Sequence, residues 1–196
     1  MPVILSVPPA GAVPALRLRP WRPDDLPALL AAHRDPALRR WLATSLTGDA
    51  DGRRWLEVQV AGWATATRFS FAVTTETDDP VGHVVVKVAG PGTAEVGYWT
   101  AAQARGRGIA AGAVDAVSQW ALDVQRTVAV SRLELVHAAG NEPSCRVALR
   151  CGYALDDPLP AVPPAFPDAG HRHVRTADVA CIGPAPEVSK LSHFPS

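Results

Sequence analysis

The segment Gln103-Ala-Arg-Gly-Arg-Gly108 constrains this chain more than any other part of its sequence. Before it, Ala94–Thr100 alternates in polarity and reads as a strand; after it, apolar residues from Ile109 onward recur at helical spacing. The first turn of a helix has main-chain N–H groups without internal partners and the positive end of the helix dipole. Gly106 and Gly108 remove side chains where the backbone must approach an anion, and Arg105 and Arg107 add positive charge. The pattern predicts a phosphate cradle over 103–109, with an ordinary glycine-rich turn and solvated arginines as the competing reading of those residues alone. No Gly-Lys-Ser/Thr follows, which excludes a Walker loop. A dinucleotide fingerprint fits poorly: the third glycine is missing, and the preceding strand belongs to a meander instead of a βαβ unit.

The remaining pattern is that of a mixed chain. Leu16–Pro20, Arg68–Thr75, Val81–Val88, Ala94–Thr100, Arg132–His137, a stretch from Tyr153 and a last one from His171 read as strands. Turns at Asp78-Asp79-Pro80 and Gly90-Pro91-Gly92 make the middle three an antiparallel meander. Helices are expected from Pro23, Pro36, Asp51, Ile109 and Asn141, the last stopping at Gly152 in the C′ position. The fourth of them should bury Ile109, Ala113, Val117, Trp120 and Val124. Residues 1–15, rich in proline, read as a mostly irregular extension; 16–181 form one domain, 158–170 a proline-rich loop, and 182–196 a loose tail.

Composition excludes several function classes. Lys+Arg and Asp+Glu number 19 each, so no net charge draws the chain to nucleic acid or to an anionic membrane. No apolar run approaches the ~20 residues of a membrane span, and the first residues lack the basic region of a secretory signal. Cys145, Cys151 and Cys181 are odd in number and irregular in spacing, which argues against a disulfide framework or a zinc set. Packed free thiols in a cytoplasmic protein are the expectation.

Two motifs together resemble a known family. Gln103-x-x-Gly106-x-Gly108 resembles the pyrophosphate motif of GNAT acyltransferases, Gln/Arg-x-x-Gly-x-Gly/Ala, and its flanks, Ala94–Thr100 and Ile109–Val114, match as well. Downstream, Asn141-x-x-Ser144-x-x-Val147-Ala148-x-x-x-Gly152-Tyr153 resembles the second GNAT signature, in the form found in the RimJ/RimL branch. Members of that branch acetylate protein N-termini, and relatives act on small amines. The resemblance implies an α/β (strictly α+β) fold: a central mixed, mostly antiparallel sheet flanked by helices, with its fourth and fifth strands splayed into an acyl-CoA cleft. It implies an acyl-CoA co-substrate, acetyl-CoA first, an amine acceptor, no metal, and a monomer or homodimer.

Residue roles follow by the same resemblance. Main-chain amides from Gln103 to Ile109 would hold the pyrophosphate, with Arg105 and Arg107 on outer phosphates. Trp99 and Thr100 would pair with the pantetheine arm, and Asn141 would contact it. A main-chain N–H on that strand would stabilise the tetrahedral oxyanion. Glu95 is the candidate general base. Many members use a tyrosine to protonate the departing thiolate, at the position that Ala148 occupies here; Ser144 is the substitute, with helix capping as its competing role. Cys145 and Cys151 show no partnering base and read as packing residues.

His33, His83, His137, His171 and His173 could line a site. His171 and His173 share one face of a strand at a spacing that suits a metal, but the sequence supplies no third ligand. Trp41, Trp55 and Trp63 fall in the helical region that shapes acceptor pockets in the family, and read chiefly as core. A small-molecule acceptor and a non-catalytic acyl-CoA-binding module are the alternatives to N-terminal acetylation.

Overall fold

Short turns and alternating polarity produce the expected meander, and the meander becomes the centre of a larger sheet. The computed structural model describes residues 3–11, 13–42, 44–163 and 167–177. Its strands are β1 (Leu5–Val7), β2 (Leu16–Pro20), β3 (Arg68–Thr74), β4 (Pro80–Gly90), β5 (Gly92–Thr100), β6 (Val130–Ala138), β7 (Ala154–Leu159) and β8 (Gly170–Thr176). They form one sheet in the order β1-β2-β3-β4-β5-β6-β8-β7. Every neighbouring pair is antiparallel except β5 with β6, which is parallel. The helices are α1 (Leu26–His33), α2 (Pro36–Arg39), α3 (Asp49–Ala64), α4 (Ile109–Gln119) and α5 (Glu142–Arg150). The α/β architecture with a mixed, mostly antiparallel sheet is therefore present. Among the described residues no helix is long and apolar enough to cross a membrane.

Two cores lie on opposite faces of the sheet. On one, Ile109, Ala113, Val114 and Val117 of α4 pack on Leu18, Phe71, Val84, Val96, Leu133 and Leu135. On the other, Leu26 and Leu29 of α1 and Leu56 of α3 pack with Trp21, Ala72 and Trp99. Successive strand side chains point to opposite faces, so neighbouring β5 residues serve different cores: Val96 one, Trp99 the other.

Several local expectations change in the fold. The irregular N-terminal extension includes β1, because the apolar run before Pro8 and Pro9 pairs with β2 and the prolines end it. The proline-rich loop begins later than expected: β7 takes in Asp156, Asp157 and Pro158, which an edge strand tolerates with a register irregularity. Val124 is exposed instead of buried, because Trp120–Val124 widens into a π turn that carries it off the α4 stripe. On α3, Gln59 is buried and bonded to the Ser70 hydroxyl, while Val58 faces outward. The tail 182–196 and Cys181 lie outside the described residues.

Alternation also places Arg19 on the face of β2 opposite Leu16 and Leu18. It is 2% exposed and makes a bidentate ion pair with buried Asp25, both bonds 2.8 Å, while its Nε meets Asp78. Stranding one partner of such a pair costs about 3–5 kcal/mol. The pair holds the turn before α1 to the sheet, beside the core formed by Trp21, Leu26 and Trp99.

Candidate active site

The parallel pair β5–β6 opens where the site begins. Its register runs Thr93↔Arg132, Ala94↔Leu133, Glu95↔Glu134 and stops there. Beyond that point β5 keeps its other partner as far as Thr100↔Gly82, and β6 stays with β8 as far as Ala138↔Gly170. Each strand follows a different neighbour, so a wedge opens between Val96–Thr100 and Leu135–Ala138. Counted without β1, these are the fourth and fifth strands of the sequence reading.

At the far end of β5 the chain turns through a short 3-10 segment, Ala102–Ala104, which carries Gln103. Gly106 and Gly108 then adopt φ +75° and +73°, the left-handed region that favours glycine. Gly108 is the N-cap of α4, and Gly112 N–H bonds back to its carbonyl. Among the described residues, the main-chain N–H groups from Gly106 to Ala111 have no acceptor within the protein. Ile109, 2% exposed, anchors the helix start in the core while its N–H remains free. This is a row of unsatisfied donors at a helix N-terminus, the arrangement that binds phosphate.

The two arginines of the loop behave differently. Arg105 is engaged: its guanidinium pairs with Asp35, the N-cap of α2, and its Nε donates to the Thr100 carbonyl at 3.2 Å. The Ala37 N–H, and then Arg105, hold the Asp35 carboxyl below its usual range. Arg105 thus ties the loop to α2, while Arg107 is exposed and has no ion-pair partner among the described residues.

Across the wedge, Tyr98 of β5 donates its hydroxyl hydrogen to Ser144 Oγ of α5 at 3.0 Å. Ser144 is 5% exposed and sits in the third position of α5, so the capping role falls away; Asn141 precedes the helix and makes no side-chain cap bond. Burial raises the Tyr98 pKa, opposed by the Ser144 bond, so the phenol stays protonated at neutral pH. Sequence reading missed Tyr98: it looked for a tyrosine at Ala148, and the hydroxyl arrives instead from the facing strand. A tyrosine inside the matched segment before the glycine loop was the available signal.

The other face of the wedge carries charge and aromatic rings. Lys87 Nζ donates to Glu95 Oε1 at 2.6 Å, and Glu134 beside it is held by Arg132 at 2.9 Å. Trp99 packs among Trp21, His33 and His83, with ring centroids 5.8–6.0 Å from its own. Trp55 joins this cluster at 5.2 Å from Trp21, whereas Trp63 packs in the opposite core against Phe69, Phe71 and Trp120. Trp41 lies under the Arg40 guanidinium and would contact a side chain at Gly140, near the start of α5.

The sequence of residues 15–154 matches the acetyltransferase (GNAT) domain family. The chain belongs to that family. The GNAT fold is also what its structure shares with solved proteins. A GNAT-family acetyltransferase from Bacillus anthracis superposes with a TM-score of 0.75 at 17% identity, covering 89% of this chain and 99% of that one. An acetyltransferase of Salmonella typhimurium that modifies the N-terminal serine of ribosomal protein L7/L12 gives 0.73 at 18%, covering 90% and 100%. The microcin C7 self-immunity acetyltransferase MccE, solved with acetyl-CoA and AMP, gives 0.73 at 17%, covering 82% and 92%. A sequence search of curated proteins finds no significant match.

Within this GNAT domain, the histidines divide between two places. His33 and His83 belong to the aromatic face; His137, His171 and His173 gather on the α5 face. There the reading of Cys145 as lacking a base is corrected: its Sγ lies 3.4 Å from His173 Nε2 and 3.9 Å from His171 Nδ1. Helix α5 carries it over the β6–β8 pair, a proximity that sequence spacing does not contain. Cys151 matches its expectation. Burial pushes its thiol up to about 12, and it bonds the Ala111 carbonyl.

Proposed function

We propose that this GNAT enzyme transfers an acetyl group from acetyl-CoA to an amine in a ternary complex, with a protein or peptide N-terminus as acceptor. The observation that carries this reading is the wedge with a donor row at one end and the Tyr98–Ser144 hydroxyl pair across it. In this reading the N–H groups of residues 106–109, with Gln103 beside them and Arg107 on an outer phosphate, hold the pyrophosphate. Arg105 acts indirectly, by fixing the loop against α2. Main-chain groups of Trp99 and Thr100 pair with the pantetheine arm, and Asn141 contacts it from the start of α5.

The chemistry needs three proton movements: two off the nitrogen and one onto the sulfur. The acceptor nitrogen loses a proton before attack, and Glu95, held by Lys87 at the fork of the wedge, takes it through water. The nitrogen bonds to the thioester carbonyl carbon, and a β5 N–H bonds the oxyanion. As the C–S bond breaks, Ser144 gives its proton to the sulfur, Tyr98 resupplies it along their hydrogen bond, and the second proton leaving the nitrogen restores the Tyr98 hydroxyl through water. Ser144 accepts from Tyr98, which leaves its own hydrogen free for the sulfur. A cytoplasmic setting suits the co-substrate.

N-terminal acceptors fit the modest base, because an α-amine with a pKa near 8 is partly neutral at physiological pH. The test is a mass-spectrometric screen of acetyl-CoA and longer acyl-CoAs against peptides and small amines. The expected result is one acetyl group on peptide N-termini. Acetylation of small amines alone moves the acceptor class, and neither product nor thiol release with any amine overturns the enzyme reading.

A further inference from the structure

Four side chains that sequence spacing does not connect converge beneath the N-terminal half of α5. His137 ends β6; His171 and His173 stand opposite it and Leu135 on β8; Cys145 comes down from α5. One donor atom from each lies within 4.8 Å of the others. His137 and His173 rings stack at 22° with centroids 5.2 Å apart, and His171 stands edge-on to both.

As a purely hydrogen-bonded group these residues are poorly satisfied. His137 uses Nδ1 on the Ala138 carbonyl at 2.9 Å, which leaves its buried Nε2 without a partner. His173 is 0% exposed and its Nδ1 makes no well-formed hydrogen bond. One thiol hydrogen can serve only one imidazole, and His137, with its hydrogen on Nδ1, turns a bare Nε2 lone pair into a largely buried cluster. Unsatisfied polar groups of this kind are rare in native proteins, and a bound ion is one standard explanation.

We propose that His137, Cys145, His171 and His173 form a tetrahedral site for a divalent transition-metal ion of the zinc class. The donor set, three imidazoles and one thiolate, is a soft-to-borderline one that suits zinc over magnesium or calcium. Bond lengths of about 2.3 Å to sulfur and about 2.05 Å to nitrogen, at a tetrahedral angle, put S and N about 3.6 Å apart. The two sulfur–nitrogen separations here, 3.4 and 3.9 Å, straddle that value. The Ala138 carbonyl on His137 Nδ1 is the outer partner that orients a ligating imidazole through its other nitrogen.

Four protein donors leave no open position, so the ion is structural. It clamps α5 to β6 and β8, and the clamp falls on the residue next to Ser144. The sequence offered no third ligand for His171 and His173; the fold supplies two.

The experiment uses the full chain without a purification tag, stripped with chelator and titrated with cobalt(II). The expected result is the intense visible bands of tetrahedral cobalt with a thiolate-to-cobalt charge-transfer band, saturating at one equivalent and displaced by zinc. Zinc should also raise the unfolding temperature. Cys145→Ser should abolish the charge-transfer band, while Cys181→Ser keeps it. His171→Gln, at a partly exposed position, should weaken zinc binding by no less than the roughly tenfold to hundredfold that loss of an outer partner costs. Absence of tetrahedral bands in the wild-type chain, or a spectrum unchanged by Cys145→Ser, overturns the assignment. These readouts need no acyl transfer, so they are independent of the proposed activity.

Discussion

Tyr98 and Ser144 meet at 3.0 Å across the gap between β5 and β6. Tyr98 lies on β5 beyond the point where that strand has lost its partner β6, and Ser144 comes from the helix that follows β6. The bond joins the two sides of the wedge on the α5 face and makes a two-hydroxyl path beside it.

Removing either hydroxyl should slow acetyl transfer and spare cofactor binding. Ser144→Ala is expected to lower kcat by about 10²-fold, in the range for a lost proton donor, with the acetyl-CoA Kd unchanged. Tyr98→Phe should cost less, about tenfold, and add little to Ser144→Ala, because the two act in one path. Steady-state kinetics with calorimetric Kd values checks this. Full turnover in Ser144→Ala removes it from the mechanism.

The glycine loop allows its two roles to be separated. A side chain at Gly106 would meet nothing within 4 Å, whereas a Cβ at Gly108 would fall 2.6 Å from Val13 Cγ2. Gly106→Ala should therefore cost only the left-handed backbone strain, about 1–2 kcal/mol. Gly108→Ala should cost more, and Val13→Ala should recover part of the difference in urea unfolding. Gly106→Glu, which sets a negative charge among the free N–H groups, should weaken acetyl-CoA at least about tenfold by calorimetry. Unchanged affinity there contradicts the phosphate cradle.

Glu95 should matter in proportion to the basicity of the acceptor. For a lysine-like amine, pKa near 10.4, few molecules are neutral at pH 7, so Glu95→Gln should lower kcat/KM by about 10²-fold. For an N-terminal amine near pKa 8 the loss should be nearer threefold. Equal losses with both acceptors would assign Glu95 to its Lys87 ion pair alone.

Acid should destabilise the core around Trp21 and Trp99 before neutral pH is far behind. Burial pushes the His83 pKa down to about 3, and the Trp21 indole N–H donates to its Nδ1 at 3.0 Å, a bond that needs the neutral ring. In the unfolded chain the same imidazole titrates near 6.5. Between pH about 6.5 and about 3 the unfolded state therefore binds a proton that the folded state refuses. The contribution is full above about 6.5 and falls as the pH drops, by at most about 1.4 kcal/mol per pH unit. Burial pushes His33 in the same direction. Urea midpoints from pH 7.5 to 5 should fall, and less steeply in His83→Gln. An equal slope in that variant contradicts the assignment.

The amino-acid order by itself determined the meander, the helix after the glycine loop, the donor row at its start and the family. Each rests on residues close in sequence: two turns, a polarity period, two glycines ahead of an apolar stripe. Only the tertiary structure decided what meets across the sheet. Arg19, on the face of β2 opposite Leu16 and Leu18, is buried because Asp25 and Asp78 converge on it. Arg105, which reads as a phosphate ligand beside its loop, is drawn to Asp35, far back along the chain. Tyr98 finds Ser144, and Cys145 finds the histidines of β6 and β8, through the splay of one strand pair and the return of α5. Local periodicity encodes which face a side chain takes; which partner waits there depends on strand order and helix placement, set by packing of the whole sheet.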